Sequence, residues 1–297
     1  EFRPEDGYYR YENLVQLRTR VEAAGLQVVA IHDVPEAWNN KIRLGLPGRD
    51  EQIENYCRTL TNMGRAGIPI LGYSFHAVKV WRTSHHTRDR GGALVTSYDH
   101  ELMQRAGLTE AGEVSPEQLW NTLAYFLEAV VPVAEEAGVK LALHPDDPPV
   151  PSLRGIARIL ITPEAMQRAI DLVPSQCNGI TFCQGTFSTM GVDIPTWIRH
   201  FGRRGAIHFV HFRDVRGRPE KFVETFHDDG QTDMFEAMRT YHEVGFTGVM
   251  RPDHVPTMEG EPNDQPGYQM LGRLYAIGYM RGLQEGVRAL ARSAATA

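Results

Sequence analysis

Within residues 115–144, Ser115-Pro116-Glu117-Gln118 opens one element and Gly138-Val139-Lys140-Leu141-Ala142-Leu143-His144 closes another. Ser115 is a natural N-cap, Pro116 suits a first helical position that needs no N–H, and Gln118 completes a capping box. The apolar positions that follow carry a helix to Ala137, Gly138 stops it, and the run after it reads as a buried strand ending on a histidine. The phrase is helix, glycine, strand.

The phrase recurs on both sides. Upstream, Leu14, Val15, Leu17, Val21 and Ala24 keep helical spacing before Gly25 and the run Leu26-Gln27-Val28-Val29-Ala30-Ile31. A helical stretch over residues 51–66 ends at Gly67 before Ile68-Pro69-Ile70-Leu71-Gly72-Tyr73. Downstream, Thr162-Pro163-Glu164 announces a helix that leads to Gly179-Ile180-Thr181-Phe182-Cys183. A helix over residues 194–201 precedes Ala206-Ile207-His208-Phe209-Val210-His211-Phe212, and one over 234–244 precedes Gly248-Val249-Met250-Arg251.

Short apolar strands alternating with helices imply an α/β protein with a parallel sheet, closed as a barrel or open and doubly wound. An open nucleotide-binding sheet usually carries a Gly-rich phosphate turn, and neither G-x-G-x-x-G nor a P-loop occurs. A TIM-type (β/α)8 barrel is therefore expected, as one domain over residues 1–297. Six strands leave two to find. Because the chain opens Glu1-Phe2-Arg3 and enters a helical pattern almost at once, the first strand is expected to belong to N-terminal sequence missing from this chain. Residues 75–99, polar and rich in Arg, His, Thr and Gly, read as a lid or binding loop, and residues 255–267 as a second mobile loop.

Hydrophobic residues make up 42% and charged residues 23%, a balance that supports a sizeable core. A net charge of −6 disfavours nucleic acid as a partner. There is no apolar run of about 18 residues to span a membrane and no charged-then-apolar leader. Three cysteines, Cys57, Cys177 and Cys183, are too few for a disulfide framework in so long a chain. A reducing, cytoplasmic setting is expected.

The chemistry-bearing residues fall at strand ends. His144 ends one expected strand, Cys183 the next and His211 a third, while Asp253 follows a fourth. In a TIM barrel such ends converge at one mouth, so four distant residues can surround one ion. Singly, each has a plainer reading: a buried thiol, a polar strand cap, or the N-cap of a turn. Their joint occurrence favours a shared metal site. His208, three residues before His211, points to the other face of its strand and reads as structural. Two imidazoles, a thiolate and a carboxylate suit Zn²⁺, Fe²⁺, Co²⁺ or Mn²⁺ better than Mg²⁺ or Ca²⁺.

Several stretches together resemble the mannonate dehydratase family: His144-Pro145-Asp146-Asp147-Pro148-Pro149, Cys183-Gln184-Gly185, His211-Phe212-Arg213-Asp214-Val215-Arg216-Gly217, Glu224-Thr225-Phe226-His227-Asp228-Asp229-Gly230 and Arg251-Pro252-Asp253-His254. The resemblance covers nearly the whole chain. It implies a xylose-isomerase-like barrel that dehydrates D-mannonate to 2-keto-3-deoxy-D-gluconate in hexuronate catabolism, usually with Mn²⁺, and a homo-oligomer. It also implies His144, Cys183, His211 and Asp253 as ligands, and His254 and Tyr268 as an acid/base pair.

Such a reaction needs a metal to stabilise charge beside the substrate carboxylate, a base for the C2 proton and an acid for the departing C3 hydroxyl. Arg213 and Arg216 are candidates to clamp the carboxylate. His227, with Asp228 and Asp229, either binds substrate hydroxyls or caps the helix near Met234. One departure is visible: Trp81-Arg82-Thr83-Ser84-His85-His86 stands where the family is expected to carry a Trp-Thr-Arg-Thr-Asp type stretch. Three rivals remain. A sugar or sugar-acid isomerase or epimerase on the same barrel would release no 2-keto-3-deoxy product. A DNA-repair nuclease would bind DNA in a salt-dependent way, and a purely structural metal site would have no open position.

Overall fold

The computed structural model describes residues 4–78 and 82–296; Glu1-Phe2-Arg3 and Trp81, which figured in the expectations above, lie outside the described residues. In chain order the elements begin with α1 (Tyr11–Glu22), β1 (Ile31–His32), α2 (Asn40–Leu44), α3 (Arg49–Arg65) and β2 (Ile70–Ser74). There follow β3 (Ser84–Arg88), β4 (Leu94–Asp99), α4 (His100–Gln104), α5 (Pro116–Ala137) and β5 (Lys140–His144). Next come β6 (Ser152–Leu153), β7 (Ile156–Ala157), α6 (Pro163–Asp171), β8 (Asn178–Cys183), α7 (Gln184–Thr189), α8 (Ile194–Gly202) and β9 (Ile207–Phe212). The chain closes with β10 (Val215–Arg218), β11 (Lys221–Glu224), α9 (Met234–Glu243), β12 (Val249–Pro252) and α10 (Met270–Thr296).

Two compact units emerge, one from Glu1–Lys79, Leu108–Asp146 and Pro151–Thr181, the other from Val80–Gly107, Asp147–Val150 and Phe182–Ala297. In the first, β1, β2, β5 and most of β8 pair in parallel in that order. The local signals at α5 act as expected: the Ser115 side chain accepts from Gln118 N–H at 3.1 Å, and Gly138 ends the helix at φ 65. A Cβ at that φ would be strained, which is why glycine serves there. The helix buries Leu119, Leu123, Phe126, Leu127, Val130, Val131 and Ala134 along one face, with the Tyr56 ring of α3 edge-on to Phe126 at 4.9 Å.

The first expected strand is shorter than its apolar run. Only Ile31 and His32 pair, with Leu71 and Gly72, while Leu26 is 65% exposed. At the end of the strand order β1 is supported from one side among the described residues, so the rest of the run gains no ladder.

The second unit holds β9 and β12 as a parallel pair and a four-stranded antiparallel sheet ordered β10, β11, β4, β3. Residues 75–99 are therefore not a loop throughout. β4 pairs Ser97, Tyr98 and Asp99 with Val223, Phe222 and Lys221 of β11, and β3 then pairs with β4. A polar segment such as Ser84-His85-His86-Thr87-Arg88 becomes a strand because a partner is already present, not by its own propensity. Residues 255–267 are tied down by the reciprocal backbone bonds of Leu94 and Thr257 at 2.8 and 2.9 Å and by Val255 N–H to Gly267 O at 2.8 Å. The core of this unit centres on Phe182, stacked on Phe187 at 4.2 Å and met edge-on by Tyr241. No helix among the described residues is long and apolar enough to cross a membrane.

Candidate metal centre

His144 is the last residue of β5 and belongs to the first unit, buried with its ring edge-on to His32 at 5.8 Å. Its Nδ1 lies 2.6 Å from Pro145 O, an acceptor, so Nδ1 carries the proton and Nε2 the lone pair. Metal-binding imidazoles characteristically donate their other N–H to such a carbonyl.

The second unit carries the other three expected ligands. Cys183 ends β8 and is fully buried; its Sγ accepts from Thr186 Oγ1 at 3.1 Å and Arg213 Nη1 at 3.4 Å, donors that favour a thiolate. Gly185 is required by this approach, since a Cβ there would fall 2.8 Å from the Arg213 side chain. Cys183 and His211 offer ligand atoms within 4.8 Å of each other. His211 Nδ1 stands 3.5 Å from Asp253 Oδ2, and Asp253 Oδ1 accepts from Arg251 Nη2 at 2.9 Å. Burial alone would raise the Asp253 carboxyl, but His254, His211 and Arg251 outweigh it and hold the group well below the usual carboxylate range. Ligands about 2.0–2.3 Å from a shared ion lie roughly 3–4 Å apart, so buried S, N and O donors at these spacings fit a borderline divalent metal.

His254 follows Asp253 directly, held at φ 49 in the left-handed region. The Tyr268 ring meets the His254 ring at 5.5 Å and 90°. Burial, reinforced by the charge of Asp253, pushes the Tyr268 phenol well up, so it stays protonated and able to donate. The expected acid/base pair is thus brought together.

The three expected substrate contacts are placed differently from one another. Arg213 is fully buried and donates to Glu224 at 2.6 and 2.8 Å and to Asp147 at 2.8 Å. Arg216 is exposed, in an ion pair with Asp229 at 3.2 Å. His227 is fully buried and donates from Nε2 to Phe212 O at 2.7 Å, the carbonyl that also accepts Asp253 N–H at 3.4 Å. Burial, against that hydrogen bond, lowers His227 to about 4, so it is neutral under ordinary conditions.

Sequence reading assigned no role to Arg82, Asp147 or Glu224, yet they form a buried, hydrogen-bonded polar cluster in this unit. Arg82 donates to Asp147 at 2.8 and 3.1 Å and to Glu224 at 2.7 and 3.2 Å, and His254 Nδ1 lies 2.8 Å from Glu224 Oε1. Asp147, Glu224 and His254 also have the spacing of a metal site. Two guanidinium groups already balance the two carboxylates, which argues against a cation there. The available signal was the acidic Asp146-Asp147 pair beside a strand-end histidine, but its partner lies 65 positions away.

The family model for D-mannonate dehydratase (UxuA) matches residues 2–111 and 104–294. The chain belongs to the mannonate dehydratase family. A mannonate dehydratase of Thermotoga maritima is 38% identical over 93% of this chain and 86% of its own length. The crystal structure of mannonate dehydratase from Streptococcus suis serotype 2 superposes with a TM-score of 0.89 at 34% identity, covering 96% of this chain and 83% of that one. A xylose isomerase-like TIM barrel protein from Mycobacterium smegmatis, only 12% identical, has a TM-score of 0.61 over 95% of this chain and 81% of that one. That likeness concerns the fold alone, and the fold is the expected α/β TIM barrel of the xylose-isomerase type. Mannonate dehydratases are hydro-lyases, so the class of reaction agrees with the sequence resemblance.

Proposed function

We propose that the protein removes water from D-mannonate to give 2-keto-3-deoxy-D-gluconate, with a divalent metal, Mn²⁺ before Fe²⁺, Co²⁺ or Zn²⁺, held by His144, Cys183, His211 and Asp253. The observation that supports it most is the placement of His254 and Tyr268 edge-on to each other, directly beside Asp253. When bound, the metal supplies Lewis acidity that stabilises negative charge developing at the substrate carboxylate. The chain's own groups do the proton work. One of His254 and Tyr268 takes the C2 proton, the other protonates the C3 hydroxyl as it leaves, and the resulting enol becomes the 2-keto product. Arg216, exposed, and Arg213 and His227, buried beside the ligands, complete the substrate-binding proposal. A cytoplasmic homo-oligomer acting on a small sugar acid is part of the same reading.

The test uses reduced, Mn²⁺-loaded protein under anaerobic conditions with D-mannonate, alongside Cys183→Ala. The expected result is a 2-keto-3-deoxy product from the parent and none from the variant. No product from parent protein with metal bound would retire mannonate and direct assays to other sugar acids and to isomerisation or epimerisation.

A further inference from the structure

His254 Nδ1 faces two side chains with opposite demands. Glu224 Oε1 lies 2.8 Å away and Arg82 Nη2 lies 3.2 Å away. An ionised carboxylate only accepts and a guanidinium only donates. A neutral imidazole must therefore place its proton on Nδ1 to bond Glu224, or leave a lone pair there to bond Arg82.

The geometry of Glu224 decides between them. Glu224 sits between two guanidinium groups, Arg82 at 2.7 Å and Arg213 at 2.6 Å, which hold it ionised and therefore an acceptor. Its Oε1 already receives Arg82 Nη2 at 2.7 Å and Arg213 Nη2 at 2.6 Å, so Arg82 and His254 converge as donors on one oxygen. The second oxygen is occupied by Arg213 Nε at 2.8 Å, which prevents the carboxylate from turning away. Glu224 itself is 2% exposed at the end of β11. The contact of 3.2 Å between Arg82 and Nδ1 is then the closeness of two donors that share an acceptor.

We propose that Glu224 is the positioning residue for His254: it holds the imidazole as the Nδ1–H tautomer, so that Nε2 presents a lone pair on the side of Asp253, from which it stands 3.8 Å. Arg82 and Arg213 act one step further back by clamping Glu224. This rests on the dehydratase reading for its consequence in turnover, but not for the state of the ring. The arrangement gives His254 the base role at Nε2 and leaves the acid role to Tyr268, whose phenol burial keeps protonated.

The test compares the parent, whose spectrum alone can overturn the proposal, with Glu224→Leu and Glu224→Met. With no acceptor at position 224, Arg82 Nη2, already 3.2 Å from Nδ1, becomes its donor partner and selects the other tautomer. With Mn²⁺-loaded protein, turnover of D-mannonate is expected to fall on the order of a hundredfold or more while KM and bound metal stay within about twofold. In ¹⁵N-histidine-labelled, Zn²⁺-loaded protein, the His254 signal, assigned by its loss in His254→Gln, should show the proton on Nδ1 in the parent and on Nε2 in the variants. A parent ring protonated on Nε2, a proton that stays on Nδ1 in a folded variant, or unchanged turnover overturns the proposal. If the parent makes no product, the mannonate reading fails while the tautomer spectrum still decides this one.

Discussion

Two buried polar clusters of the second unit are built on opposite principles. Arg82, Arg213, Asp147 and Glu224 supply two cations and two anions that satisfy one another at 2.6–3.2 Å. Cys183, His211 and Asp253 are instead a set of electron-pair donors, with guanidinium contacts from Arg213 to sulfur and from Arg251 to one carboxylate oxygen. The first cluster is closed by charge and the second is suited to a cation. Arg213 touches both, so an ion-paired frame stands directly behind the Cys183 sulfur proposed as a ligand.

The largest effect expected from this contrast concerns the closed cluster. Arg213→Met leaves Asp147 and Glu224 with one guanidinium between them, and breaking a buried pair from one side costs about 3–5 kcal/mol. Urea denaturation should give that loss equally in chelator-stripped and Mn²⁺-loaded protein. A loss that appears only with metal present would break the comparison, because the frame would then depend on the ion. Next in size is a change at the donor cluster. His227 fixes the Phe212 carbonyl, which lies next to His211 and also receives Asp253 N–H. His227→Phe keeps the ring and removes the N–H, and metal affinity measured by competition with a chelator dye should fall roughly 10- to 100-fold. Unchanged affinity would mean that the strand ends hold the ligands without help.

How far these clusters were legible in the sequence follows from distance along the chain. β5 and β8 announced themselves because their signals are local, a capped helix, a glycine and an apolar run within one phrase. The ligands could be proposed because each sits at the end of such a run. β3 and β4 were hidden because β4 finds its partner in β11, more than a hundred residues later. Arg82 was legible only as a departure from an expected stretch, and its pairing with Glu224 spans 142 positions. Charge complementarity between remote residues leaves no periodicity to read, whereas a strand-end ligand inherits the pattern of its strand.

A third buried carboxyl sharpens the contrast at smaller scale. Among the described residues the Asp214 side chain is held by backbone donors and not by a guanidinium: it accepts from Val215 N–H at 2.8 Å and Thr232 N–H at 3.0 Å. Burial wins over these bonds and raises it to about 6, whereas Glu224 among its arginines is brought down to about 2. The two carboxyls therefore have opposite pH signs. The Glu224 contribution is present above its unfolded value of about 4.3 and is lost as pH falls toward 2. The Asp214 contribution is full below its unfolded value of about 3.9 and is lost as pH rises through 6. Between about pH 5 and 7 the parent should lose about 1 kcal/mol of stability relative to Asp214→Asn, read as the difference between their unfolding free energies at each pH. A difference that stays flat, or that runs the other way, would mean that the backbone donors stabilise the Asp214 carboxylate as effectively as guanidinium groups stabilise Glu224, and that ion pairing is not what separates the two sites.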